Sequence, residues 1–284
     1  MKKVILLTLS CLHLLALSGC YNNTISEIPT DPTAATLQAT EGTSIPPNAI
    51  TETTPTGTVP QETIVQTETI PSTMELLTFE GSQYYLYTPS NPTANMPLII
   101  YLHGGTNKSA DVTALLTLDG FPKYLYEGYY SDLRAFVAVP KLDSNYKGWV
   151  NAADHIRNLI EKIHSDHAID KGKVALTGHS MGGTGTYQLQ ARLPQTFACI
   201  APMSGSIQNT EKNLTALGKT KVWAFVGTKD TVVEPASSIS IVASLKENGA
   251  NAAITELEGA THTDVPSLAY KNPELIQWLV NCGQ

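Results

Sequence analysis

The chain is short of cysteine, of charge and of basic residues in particular, and each shortage removes a class of protein. Four cysteines among 284 residues are too sparse for a disulfide framework, and no histidine spacing around them makes a zinc site. Charged residues make up 15% of the chain, with 18 Lys and Arg against 25 Asp and Glu, and no basic patch interrupts the sequence. That balance argues against nucleic-acid binding and against electrostatic docking on anionic lipid. No apolar run reaches the roughly 20 residues of a membrane span. From Asn22 to Thr73 there is no Lys, Arg or aromatic residue. Such a segment holds too little apolar surface to offset its ordering entropy.

What is present begins at the N-terminus. Lys2 and Lys3 precede an apolar stretch from Val4 to Leu17, which ends in Leu17-Ser18-Gly19-Cys20. A charged start, a short apolar core and small residues before a cysteine resemble the bacterial lipoprotein signal. The resemblance implies cleavage before Cys20, acylation of Cys20, and an extracytoplasmic protein held to a membrane by more than one acyl chain. Residues 1–19 are then the expected signal peptide. Residues 20–73, rich in Thr and Pro, are an expected disordered tether with a reach of roughly 40 Å, and a glycosylated stalk has the same composition. With Cys11 in the signal and Cys20 acylated, Cys199 and Cys282 remain in the folded part. An oxidising compartment permits a bridge between them. Cys199 lies in the apolar run Phe197-Ala198-Cys199-Ile200-Ala201, however, and free core thiols are the expectation.

From residue 74 to 284 the pattern changes to one domain of alternating strands and helices. Gln83 to Tyr87 reads as an early antiparallel strand ended by Pro89 and Pro92. Short apolar runs of the buried-strand kind follow at Leu98–Leu102, Ala135–Val139, Val174–Thr177, Cys199–Met203 and Val222–Val226, with a last strand at Ala253–Leu257. Between them lie helical segments at Ala152–Ser165, Gly182–Arg192, Thr210–Leu217, Ala236–Asn248 and Pro273–Cys282. The alternation predicts an α/β fold, a mostly parallel sheet with helices on both faces. Ligands then bind at the carboxyl ends of the strands.

The strand at Val174 runs into Gly178-His179-Ser180-Met181-Gly182-Gly183 and then a helix. This is the Gly-x-Ser-x-Gly elbow in its strand-turn-helix setting, and it makes Ser180 the candidate nucleophile. A serine hydroxyl needs a base and an acid to orient that base. His262 is the one histidine downstream of Ser180 and is the candidate base. Asp230, in the loop after the Val222 strand, is the candidate acid, with Glu234 and Asp264 as competitors. Met181 and an amide from His103-Gly104-Gly105-Thr106 are the candidate oxyanion donors, Gly105 ahead of Thr106. His103 reads as a structural residue, and His179 as the variable position of the elbow. Trp149 is a candidate substrate wall or an ordinary packing residue. Tyr124, Tyr126, Tyr129 and Tyr130 line the cleft or take core and surface roles.

These motifs, in this order, resemble the α/β-hydrolase superfamily. Within it they are similar to an extracellular esterase branch of feruloyl and acetyl-xylan esterases, polyhydroxybutyrate depolymerases and prolyl-oligopeptidase-like hydrolases. The resemblance covers the folded part and implies the α/β-hydrolase fold and a Ser-His-Asp acyl-enzyme mechanism with no metal or cofactor. The expected substrate is a short acyl or aromatic ester, small or linked to polysaccharide, and the motifs say little about which. Only one short helix fits between Gly205 and Lys221, so no large lid is expected. Two alternatives stand beside this reading. A prolyl-oligopeptidase-like serine peptidase usually carries a propeller, and no repeat of blade length is present. A catalytically silent binding module would show a broken triad or oxyanion loop, and none is broken. The oligomeric state is not readable from the sequence.

Overall fold

The computed structural model describes residues 72–118 and 120–283. The expected signal, Cys20 and the tether as far as residue 71 lie outside these residues. Eight strands form one sheet: β1 (Thr73–Phe79), β2 (Ser82–Thr88), β3 (Leu98–Leu102), β4 (Phe136–Pro140), β5 (Val174–His179), β6 (Cys199–Met203), β7 (Lys221–Gly227) and β8 (Ala252–Leu257). Their spatial order is β1-β2-β4-β3-β5-β6-β7-β8. The first three neighbours pair antiparallel, and every pair from β4 to β8 is parallel.

The helices are α1 (Phe121–Tyr126), α2 (Ala153–His167), α3 (Met181–Arg192), α4 (Glu211–Leu217), α5 (Pro235–Glu247), α6 (Val265–Tyr270) and α7 (Pro273–Val280). They cover the sheet from both sides because its central strands are apolar on both faces. In β3 all five residues are buried. Leu98, Ile100 and Leu102 pack with α2, α3 and α5, while Ile99 and Tyr101 pack with α1, α6 and α7. Helix α2 offers Ile156, Leu159, Ile160 and Ile163 to the first of these layers, the i, i+3, i+4, i+7 stripe of a one-sided helix. Burial of each such side chain contributes roughly 1.5–3 kcal/mol before entropy is counted. Thr210 starts α4 by accepting from the Asn213 N–H, and α4 is the one helix between β6 and β7.

Among these strands and α-helices, three were not expected from the sequence. Strand β1 is an edge strand with largely exposed side chains, so it lacks the apolar run that marks a core strand. Helices α1 and α6 have six residues each, too few for a helical period to show.

The expectation of free thiols is corrected: Cys199 and Cys282 form a disulfide, with Cα atoms 5.5 Å apart. Both residues are buried, at 0% and 2% exposure. The apolar setting of Cys199 did indicate burial, but burial does not exclude pairing. Cys199 faces the layer covered by α7, and the end of α7 brings Cys282 over it across a sequence separation of 83.

Candidate active site

The sharp turn between β5 and α3 sets the site. Ser180 sits there at φ 60°, ψ −117°, a conformation that L-residues reach only under strain. The flanking glycines are required by close backbone approach. A Cβ on Gly178 would fall 2.5 Å from the Leu102 carbonyl oxygen, and one on Gly182 only 1.9 Å from it. No side chain fits at either position, and the turn lifts Ser180 above the end of the sheet.

Loops from β7 and β8 bring the other two candidates to it. His262 Nε2 lies 2.8 Å from Ser180 Oγ, and His262 Nδ1 lies 2.8 Å from Asp230 Oδ2. The Asp230 side chain is fully buried, and its Oδ1 accepts from the N–H groups of Val232 and Val233 at 2.9 Å each. Burial alone would raise its pKa. The Val233 N–H, then His262, the nearby Ser204 hydroxyl and the Val232 N–H outweigh burial and hold it below the usual carboxylate value. An ionised Asp230 requires Nδ1 of His262 to carry the proton, which leaves Nε2 free to accept from Ser180. The competitors lie elsewhere. Asp264 binds the N–H and hydroxyl of Thr261 within its own loop, and Glu234 flanks the start of α5.

Ser180 and His262 open on a pocket of about 280 Å³ whose walls include Gly104, Gly105, Thr106, Tyr101, Leu118 and Pro266. Gly105 and Thr106 begin a 3-10 turn, Gly105–Lys108, and Met181 is the first residue of α3. N–H groups at such positions have no intrahelical acceptor and are available to an oxyanion. A larger groove of about 640 Å³ runs along α3 past Gln188, Arg192 and Lys212, and holds none of the three triad candidates.

The pocket-wall alternative is corrected for Trp149 and for the four tyrosines, and the packing, core and surface roles stand. Trp149 is buried at 1% exposure and does not line this pocket. Its Nε1–H donates to the His103 carbonyl at 3.0 Å, and its ring fills the space beside Gly185, so it props the base of the oxyanion loop. None of Tyr124, Tyr126, Tyr129 and Tyr130 lines the pocket. Tyr101 does, although its place in a buried strand marked it as core.

His103 binds the loop it begins. Its Nδ1–H donates to the Gly104 carbonyl at 2.8 Å and its Nε2 accepts from the Leu142 N–H at 3.0 Å. Burial holds its pKa down to about 4, so the ring stays neutral. Lys141, the residue after β4, adds a second tie through its Nζ to the carbonyls of Asn107 and Lys108. Sequence reasoning passed over Lys141; its signal was a lone cation at the end of the strand beside the oxyanion loop.

A mostly parallel sheet with helices on both faces and a strained serine elbow at its carboxyl end defines an α/β-hydrolase. The chain belongs to the dienelactone hydrolase family, which it matches over residues 83–266. It is 28% identical over 134 residues to a bifunctional acetylxylan esterase/xylanase of Neocallimastix patriciarum, covering 44% of this chain and 18% of that protein. It is 25% identical over 150 residues to poly(3-hydroxyalkanoate) depolymerase C of Paucimonas lemoignei, covering 47% of this chain and 34% of that protein. The chain thus matches well under two thirds of the length of either relative. The crystal structure of a thermostable esterase superposes with a TM-score of 0.60 at 23% identity, covering 74% of this chain and 63% of that one, a likeness of fold.

Proposed function

We propose that this chain is a serine ester hydrolase that cleaves short acyl or aromatic esters, free or carried on a polysaccharide, through an acyl-enzyme on Ser180. The observation that carries the reading is the unbroken line of hydrogen bonds from Asp230 through His262 to Ser180 at the edge of a small pocket. An acetylxylan esterase/xylanase and a poly(3-hydroxyalkanoate) depolymerase among the relatives support it. In this mechanism His262 Nε2 takes the hydroxyl proton as Ser180 Oγ attacks the ester carbon. The oxyanion that forms is met by the N–H of Met181 and by that of Gly105, with Thr106 next to it. His262 then gives its proton to the leaving alcohol, and water repeats the cycle on the acyl-enzyme. Asp230 stays ionised throughout and stabilises the imidazolium.

Pocket size supports the substrate range. About 280 Å³ suits a short chain or a single aromatic ring rather than a long fatty acyl chain. The proposal extends to location: acylated Cys20 anchors the enzyme to a membrane outside the cytoplasm and residues 20–73 carry it clear of the surface. Loss of palmitate incorporation in Cys20→Ala is expected, and equal incorporation sinks the anchor.

The experiment is kcat/KM on p-nitrophenyl acetate and butyrate, emulsified p-nitrophenyl palmitate, methyl ferulate and a prolyl peptide, with Ser180→Ala as control. Short or aromatic esters should react best, and the variant should be inactive. A prolyl peptide or emulsified long-chain lipid as best substrate would overturn the reading.

A further inference from the structure

Nothing in serine hydrolysis requires a histidine between Gly178 and Ser180, yet His179 meets the catalytic histidine directly. Its Nε2 lies 2.9 Å from the His262 carbonyl oxygen, and the two rings lie 4.6 Å apart. A carbonyl only accepts, so Nε2 carries the proton and Nδ1 is bare. Burial, helped by the neighbouring His262, holds the pKa of His179 down to about 4, and the ring is neutral across the working range. Among the described residues Nδ1 has no hydrogen-bond partner, and His179 is part of the pocket wall beside Ser180 and His262. His179 therefore brings to the pocket wall an acceptor of fixed tautomer.

The position of this acceptor relates it to one part of the substrate. His262 has to deliver a proton to the leaving oxygen, so the leaving alcohol is held against His262. His179 packs on that same imidazole. We infer that His179 determines specificity by accepting, at Nδ1, a hydrogen bond from a hydroxyl on the carbon next to the ester-bearing carbon of the leaving alcohol. The substrate class is then esters of polyols, such as sugars or glycerol, ahead of esters of simple alcohols. The inference rests on the ester-hydrolase reading above and narrows it.

The test compares 2-hydroxyethyl butyrate with n-propyl butyrate. The two are nearly isosteric and give the same acyl-enzyme, so the ratio of their kcat/KM values isolates the alcohol. The wild type should prefer the hydroxylated ester about five- to tenfold, the scale of one neutral hydrogen bond. His179→Phe should slow both esters, because the tie to His262 is lost, and should bring the ratio to about one. His179→Gln, which keeps a donor and an acceptor, should retain part of the preference and serves alone if the Phe variant does not fold. No preference in the wild type, or an equal loss on both esters with the ratio unchanged, overturns the inference. If no ester at all is turned over, the hydrolase reading fails instead. Saturation-transfer NMR of the two esters on wild type and variant then decides the inference, and equal binding in the wild type sinks it.

Discussion

Lys141 donates through Nζ to the backbone carbonyls of both Asn107 and Lys108, and so ties the end of β4 to the candidate oxyanion loop. The Leu142 N–H, one residue on, holds His103 at the start of the same loop. The loop is thus fixed at both ends by consecutive residues of one strand end.

Lys141→Met should lower kcat about tenfold with little change in KM, because misplaced amides lose contact with the oxyanion rather than with the bound ester. Lys141→Arg should recover part of the loss. Steady-state kinetics on p-nitrophenyl butyrate check this. A raised KM at unchanged kcat would mean the tie serves substrate binding instead.

Asp230→Asn should reduce kcat by on the order of 10³–10⁴-fold, since an amide favours the wrong tautomer of His262. Asp264→Asn and Glu234→Gln should each remain within a few fold of wild type, because neither carboxylate touches the imidazole. If either proves more damaging than the Asp230 change, Asp230 is not the orienting acid.

Acid stability should depend on two neutral histidines. The folded pKa of His103 and of His179 is about 4 against an ordinary 6.5, so the unfolded chain takes up the extra proton first. Their stabilisation is complete above pH 6.5 and is lost as pH falls toward 4, by up to about 3 kcal/mol each. Asp230, with its pKa lowered, keeps its contribution until the pH falls below the ordinary carboxylate value. Tm measured from pH 7 to 4 should fall steadily, and His179→Phe should flatten the slope. An unchanged slope in that variant would remove His179 from the account.

Reduction of Cys199–Cys282 should lower stability by about 2–4 kcal/mol, because the bridge closes a long loop in the unfolded chain. Thermal unfolding with and without a phosphine reductant measures this. Activity at 25 °C should survive, since neither sulfur lies at the pocket.

The sheet was legible in the sequence wherever a strand is buried on both faces, as at Leu98–Leu102 and Cys199–Met203, because a run of apolar residues bounded by polar loops has no other use. The candidate site was legible in outline for a similar reason. The glycines about Ser180 and the single downstream histidine are one-dimensional signals. What the sequence hid depends on contacts made across the fold. The Lys141 tie joins residues more than 30 apart, the bridge joins residues 83 apart, and the His179 contact joins residues 83 apart. Spacing along the chain carries no trace of such pairs. Trp149 was open to two readings because a loop on the active face holds both pocket walls and the packing beneath them.

The bridge has a consequence for wear. Asp230 and His262 both lie in the stretch of chain that Cys199 and Cys282 close into a ring. A protease that cuts one bond in any loop of that ring produces two fragments that stay joined through sulfur. Ser180, on the N-terminal side of any such cut, stays linked to whichever of Asp230 and His262 falls on the other side. A nicked molecule is expected to migrate as a single chain until a reductant separates it.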